Sequence, residues 1–219
     1  MPGTFTLADT RSLDDLHVYL SRAARVEEGS VRLIAGSGVL AAYCAVFTPA
    51  GLLDESATVL GLRTLALTEP VVFDAVVPVR SLIQRVERAQ ESASPTVGLP
   101  MEVNTATWAA ISPPRGGWVA LGEVSPALLD STARAGIREV AAAVPDGAGE
   151  QIVRKVRSEV WGTPIPGAEH VPSSAAFAAF ALGFLAEDPV RVYESGPWTR
   201  LTTQRGHTLV KRRAWNLLR

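Results

Sequence analysis

The sequence predicts an α+β fold in which a mostly antiparallel sheet packs against helices. Short apolar blocks rich in Val, Leu and Ala, such as residues 58–67 and 71–79, are typical of strands and are separated by turn residues. Apolar residues at helical spacing lie between these blocks, for example over residues 12–24. Residues 190–192, 198–203 and 207–210 can each form a strand, and the turns between them predict a three-stranded meander.

Length and composition indicate an ordinary globular protein. The 219 residues suit one large domain or two small ones, and 47% hydrophobic with 20% charged residues exclude global disorder. The single cysteine, Cys44, lies in an apolar run, so we expect it in the core and without a disulfide. No signal peptide is visible, and the longest apolar stretch, residues 175–186, is too short to span a bilayer. We therefore expect a soluble, cytoplasmic protein that does not bind membranes.

Residues 1–124 are predicted to form a β-rich α+β part. Ser12, with an acidic residue three positions later, is typical of a capping box at the start of a helix. Two strands follow within residues 31–47, and the Gly-Ser-Gly at 36–38 between them suits a tight hairpin turn. Ser81 is predicted to cap a second helix in the same way.

The two predicted helix starts share the tripeptide Arg-Ser-Leu, at residues 11–13 and 80–82. Strand candidates flank both, which suggests a duplicated strand–helix–strand unit with a spacing of 69 residues. The alternative is that capping signals recur because helix ends require them. A duplicated unit of this kind resembles the repeats of DNA sliding clamps at the level of fold, a likeness that implies no function.

Residues 125–219 are predicted to form a helical part closed by the meander and packed with the first part as one compact unit. The Ser-Pro pair at 125–126 indicates the start of a helix, and further helices are expected over residues 150–160 and 173–185. The last of these is apolar on nearly every side, which favours the core and, second, an oligomer interface. The apolar stripes expected to face inward in the first two helices include Ile137 and Ile152.

Charge separates residues 189–219 from the rest of the chain. They carry seven basic residues and one acid, Glu194, whereas residues 1–188 carry 14 basic and 21 acidic residues. Nearly all the basic residues are arginine, which is typical of a GC-rich genome, so a single arginine does not by itself indicate a site. The clustering nevertheless predicts a basic C-terminal surface. The predicted partner-binding residues are Arg200, Arg205, His207, Lys211, Arg212 and Arg213.

Three roles for this surface remain open. It can contact an acidic partner protein, or the chain's own acidic body within or between subunits of a homo-oligomer. It can bind nucleic acid non-specifically through a winged-helix-like hairpin, although the preceding helix offers no basic or amide side chain to read bases. The protein can also be a metal-independent enzyme with a pocket near the Gly- and Pro-rich turns, where core packing of aromatic residues is the commoner role. The pocket candidates are Trp108, Arg115, Trp118 and Trp198.

The sequence lacks the common catalytic and cofactor motifs. Its three histidines are scattered, and neither H-x-x-x-H nor C-x-x-C occurs. The phosphate-binding pattern G-x-x-x-x-G-K-[ST] and the nucleophile pattern G-x-S-x-G are also absent. We therefore predict no catalytic residue, no metal and no cofactor, and favour a non-catalytic interaction protein.

Four segments are similar to a family of uncharacterised bacterial proteins from GC-rich genomes. The segments are residues 58–82, the turn SPPRGGW at 112–118, the run AFALGFL at 179–185, and WTRLTTQRGHTLVKRR at 198–213. The family has no assigned activity, cofactor or site. The resemblance therefore implies only a cytosolic protein.

Overall fold

A computed structural model describes residues 3–49, 56–103, 106–145 and 147–212 and confirms the α+β class. The strands are β1 (Thr4–Thr6), β2 (Ser30–Gly36), β3 (Val39–Phe47), β4 (Thr58–Ala66), β5 (Phe73–Pro78), β6 (Thr96–Gly98), β7 (Val119–Val124), β8 (Pro164–Ile165), β9 (Ala168–Pro172), β10 (Val190–Ser195), β11 (Trp198–Thr203) and β12 (Gly206–Lys211). The helices are α1 (Thr10–Val26), α2 (Val79–Glu91), α3 (Pro126–Ala143), α4 (Glu150–Gly162) and α5 (Ser173–Ala181), with a short 3₁₀ helix at Thr107–Ala110.

Eight strands form one large antiparallel sheet in the order β5-β2-β3-β4-β12-β11-β10-β7. The chain divides into two compact units: residues 1–46 with 61–112, and residues 47–60 with 113–219. Two smaller pairs, β1 with β6 and β8 with β9, complete the described strands. The β8–β9 pair lies in the connection between α4 and α5.

The first unit buries one side of α1 and α2 against its strands. The predicted hairpin is confirmed: Ser37 and Gly38, both with positive φ, join β2 to β3. This is the conformation that a two-residue type I′ turn requires. The helix starts, however, lie a few residues earlier than predicted. Asp9 caps α1 by accepting a hydrogen bond from the Ser12 backbone N–H at 2.7 Å, and α2 begins at Val79 after Pro78.

The second unit contains the predicted meander. Strands β10, β11 and β12 pair consecutively, and β7 adds to the outer side of β10 with a bulge opposite Val192 and Tyr193. Alternate residues of these strands are almost completely buried and form one apolar face of the sheet. The most buried residues of this face are Val190, Val192, Thr199, Leu201, Thr208 and Val210.

Small residues allow the helices of the second unit to approach closely. Gly136 of α3 is buried, and a Cβ added to it would lie 2.4 Å from the Trp161 ring of α4. Trp161 in turn packs on Phe177 of α5, with 4.6 Å between ring centroids. The face of α3 is therefore rotated from the predicted one: Gly136 lies inward, and Ile137 is 39% exposed. Ile152 of α4 is likewise 50% exposed rather than buried.

Substitution of Gly136 by alanine should destabilise the protein. The new methyl group would collide with the buried Trp161 ring, and overpacking of this kind costs about 1–3 kcal/mol. Gly162, at the end of α4 with nothing within 4 Å of a Cβ, is the matched control, and Gly162→Ala should be neutral or slightly stabilising. Urea unfolding of both variants checks the prediction, and equal midpoints would contradict it.

Cys44 should be unreactive in the native protein. Burial raises the pKa of its thiol to about 11, and the Tyr19 hydroxyl donates a hydrogen bond to its Sγ at 3.2 Å. The thiolate is the reactive form, so labelling with Ellman's reagent at about pH 8 should require unfolding. Stability should fall as the pH rises from the ordinary thiol pKa of 9.0 towards 11, because only the unfolded state then ionises. Rapid labelling without denaturant would contradict this.

Candidate interaction surface

The side of the meander opposite its apolar face carries basic and aromatic side chains, together with the buried Leu209 opposite Arg200. Tyr193 of β10 lies opposite Arg200 of β11, and Trp198 of β11 lies opposite Lys211 of β12. Since residues two apart in a strand share a face, Arg200 and Trp198 point to the same side. Tyr193, Trp198, Arg200, His207 and Lys211 are therefore called the cationic face.

Arg200 occupies the aromatic part of this face. Its guanidinium carbon lies 4.4 Å from the ring centroid of Trp118 and 4.5 Å from that of Tyr193. Contacts of this length with two rings are cation–π interactions, which strengthen as water is excluded. Burial lowers the pKa of Arg200, and the nearby Tyr193 opposes that shift.

The Arg200 guanidinium has no carboxylate partner among the described residues. Its Nε is buried and makes no hydrogen bond in this part of the chain. The aromatic rings therefore stabilise the cation but leave donor capacity unused. A guanidinium in this position can still accept an anionic ligand in its own plane.

Trp118 reaches Arg200 because two turns meet. A Cβ on Gly117 would lie 3.7 Å from the Oγ of Ser195, so the SPPRGGW turn adjoins the turn between β10 and β11. The indole Nε1 of Trp118 donates a hydrogen bond to the Pro114 carbonyl at 3.1 Å, which fixes the ring. Arg115, in the same turn, is exposed.

Two arginines of the C-terminal segment are neutralised by acids of the same unit. Arg212 pairs with Glu194 of β10, and the backbone N–H of Arg212 donates to the Pro197 carbonyl at 2.9 Å. Arg191 lies 3.8 Å from Glu123 of β7, with both side chains exposed. Arg212 is therefore paired within the basic segment itself, and Arg191 lies near an acid from outside that segment.

The other predicted partner-binding residues lie along the two hairpin strands. Lys211 is exposed, with its Nζ 5.9 Å from the ring centroid of Trp198. Arg205 is exposed in the β11–β12 turn, and its Nη1 donates to the Leu185 carbonyl at 3.4 Å. His207 is half-buried, and its Nδ1 is hydrogen-bonded to the Thr202 hydroxyl at 3.1 Å. Arg213 lies outside the described residues.

The remaining pocket candidates, Trp108 and Trp198, lie in different units. Trp198 is 4% exposed and belongs to the cationic face, whereas Trp108 lies in the 3₁₀ helix of the first unit. Arg32 holds that segment in place by donating to the Ala109 carbonyl at 2.6 Å while it pairs with Asp74. Trp108 belongs to the first unit, and the Arg200 cluster belongs to the second.

The described residues contain no group of three or more His, Cys, Asp or Glu side chains able to hold a metal ion. Their helices also include none that is long and apolar enough to cross a membrane. What the second unit offers is a set of cationic and aromatic side chains on a sheet. Such an arrangement can bind an anionic or aromatic ligand group.

Sequence reasoning missed Tyr193, the second ring against Arg200. The alternation of Val190 and Val192 with Arg191 and Tyr193 could have placed Tyr193 on the outer face. The winged-helix interpretation also looks different in the structure. The hairpin β11–β12 is hydrogen-bonded within the large sheet and does not form a separate wing.

Two models of domain families match the chain. Residues 1–108 match a domain of unknown function, DUF8010, and residues 113–215 match another, DUF8185. These matches confirm the expected uncharacterised family, while the bacterial GC-rich origin stays a prediction. A comparison with curated proteins gave no match.

Solved structures of bacterial sliding clamps share the fold. The β subunit of DNA polymerase III from Caulobacter crescentus matches with a TM-score of 0.51 and 12% identity, covering 95% of this chain and 64% of that protein. A second structure, of the C. crescentus β sliding clamp, matches with a TM-score of 0.50 and 12% identity, covering 97% of this chain and 66% of that protein. The β subunit of DNA polymerase III from Pseudomonas aeruginosa matches with a TM-score of 0.49 and 14% identity, covering 95% of this chain and 64% of that protein.

The chain spans 64–66% of the length of these three clamps. At such low identity the likeness shows the fold alone. The chain thus combines regions matching DUF8010 and DUF8185, in that order, in a protein whose fold is similar to that of bacterial sliding clamps.

Proposed function

We propose that the protein is a non-catalytic interaction protein whose cationic face, together with Arg205 in the β11–β12 turn, binds an acidic segment of a partner protein. The observation that carries the proposal is the set of cations left without carboxylate partners in the described part of the meander: Arg200, Arg205 and Lys211. Arg205 and Lys211 are exposed, so a partner can reach them without rearrangement of the fold.

The fold supports a binding role. The clamp structures at TM-scores of 0.50 and 0.51 bear the names of a β sliding clamp and of polymerase III β. By analogy, this chain would act through association with other macromolecules, in the cytoplasm and as a homo-oligomer. A second copy of the chain is therefore one candidate for the acidic partner.

Nucleic acid is the second candidate ligand, because the clamp names include a DNA polymerase subunit. The cationic face itself favours a protein. Glu123 neutralises Arg191 on the same side of the sheet, whereas a nucleic-acid site needs several cations free to displace counterions.

Removal of two exposed cations should weaken binding of an acidic peptide. The variant Arg205→Gln/Lys211→Gln should bind a labelled Glu-rich peptide roughly two- to thirtyfold more weakly, because each exposed ion pair contributes about 0.2–1 kcal/mol. Fluorescence anisotropy measures the affinity. The matched control, Arg154→Gln/Lys155→Gln on α4, removes the same charge where i,i+4 acids already pair with both cations. No binding by the wild type, or an equal loss in the control, would sink the proposal.

The nucleic-acid alternative makes a different prediction. A duplex of about 20 base pairs should then form a complex near 50 mM salt, with affinity that falls by orders of magnitude towards 200 mM. A gel-shift titration at both salt concentrations tests this. Absence of a complex at the lower salt would remove the alternative, whereas a complex stronger than that with the acidic peptide would replace the lead proposal.

A further inference from the structure

We propose that Arg200 is a preformed carboxylate-binding residue, which takes one Asp, Glu or C-terminal carboxylate of the partner in the plane of its guanidinium. The inference deepens the proposed function, since the acidic partner would supply that carboxylate. It assigns to one side chain a role different from that of the exposed cations around it.

The first step of the argument is orientation. Trp118 and Tyr193 both lie within 4.5 Å of the guanidinium carbon, and each ring is held by its own constraint. Trp118 is hydrogen-bonded to Pro114, and Tyr193 is fixed opposite Arg200 by the β10–β11 register. Rings over the face of a guanidinium leave its in-plane N–H groups as the remaining donors. The side chain is therefore oriented before a ligand arrives.

The second step is the missing counter-charge. Arg32, Arg63 and Arg212, which are also partly buried, each contact a carboxylate. Arg200 has none among the described residues. The Nε atoms of both Arg200 and Arg212 are buried without a hydrogen bond there, so the missing carboxylate is what distinguishes Arg200 and points to a partner that supplies one.

The third step is the chemistry of the ligand. A guanidinium binds a planar carboxylate through two parallel N–H···O bonds, a geometry that an ammonium cannot copy. Phosphate can use the same fork, but the surroundings favour a single negative charge. Glu123 of β7 lies opposite Arg191, on the same side of the sheet as Tyr193, so a polyphosphate would meet an acid near its site.

The test observes Arg200 directly. In ¹H–¹⁵N NMR spectra of the full chain, the Nε–H resonance of Arg200 should shift saturably when sodium acetate is added at constant ionic strength. The Nε–H of Arg191, already paired with Glu123 on the neighbouring strand, is the internal control and should shift little. A second titration with inorganic phosphate, under the same conditions, follows the same two resonances.

Substitutions of Arg200 distinguish the planar geometry of its guanidinium from its positive charge. Arg200→Lys keeps the charge but loses the planar fork, so it should bind the Glu-rich peptide at least about fivefold more weakly than the wild type. Arg200→Gln should lose as much, and Arg191→Lys should bind like the wild type. Circular dichroism melting establishes that each variant folds. If Arg200→Gln does not fold, the binding result for Arg200→Lys decides the test.

Each outcome decides between the two proposals. Wild-type affinity in Arg200→Lys, or a linear acetate shift equal to that of Arg191, overturns the carboxylate site while the proposed function stands on Arg205 and Lys211. A saturable shift with phosphate and none with acetate overturns it in favour of a phosphate ligand. A saturable acetate shift without any binding of the acidic peptide supports the site and rejects the proposed function.

Discussion

The second unit depends on the two-residue period of its meander. Val192 and Leu201 must face the helices to be buried, and this fixes the register of β10 against β11. Because alternate residues point to opposite faces, Tyr193 and Arg200 are then forced onto the outer face as direct neighbours. The apolar core and the arrangement of the cationic face are therefore consequences of one register. A slip by one residue would bury the arginine and expose the valine.

Local signals predicted the regular elements well. The hairpin at Ser37-Gly38 and the helix start after Ser125 follow from turn and capping chemistry that acts over a few residues. The same signals placed the N-caps of α1 and α2 three residues too late. Asp9 and Pro78 occupy the N-cap positions, and a serine one turn inside each helix gives a capping pattern of similar quality.

Tertiary constraints explain the other differences. A stripe of large apolar residues predicted that Ile137 faces inward, but the buried position belongs to Gly136, because Trp161 fills the space that a side chain there would need. Hydrophobicity alone cannot identify a glycine as the contact point between helices. Likewise, nothing local links Trp118 to Arg200, which lies 82 residues later in the chain. The sequence could nominate both residues, yet only the strand order β7-β10-β11 brings them together.

The Arg200 arrangement combines an energetic cost with a gain of similar size. A buried donor without an acceptor costs about 1–3 kcal/mol, whereas the two cation–π contacts, at about 0.5–1 kcal/mol each, together contribute about 1–2 kcal/mol. Arg212 shows that the same segment can pair an arginine with an acid when neutralisation is the outcome. Arg200 is instead oriented by two rings and has no carboxylate among the described residues, the state in which an arginine gains most from a carboxylate brought by a partner.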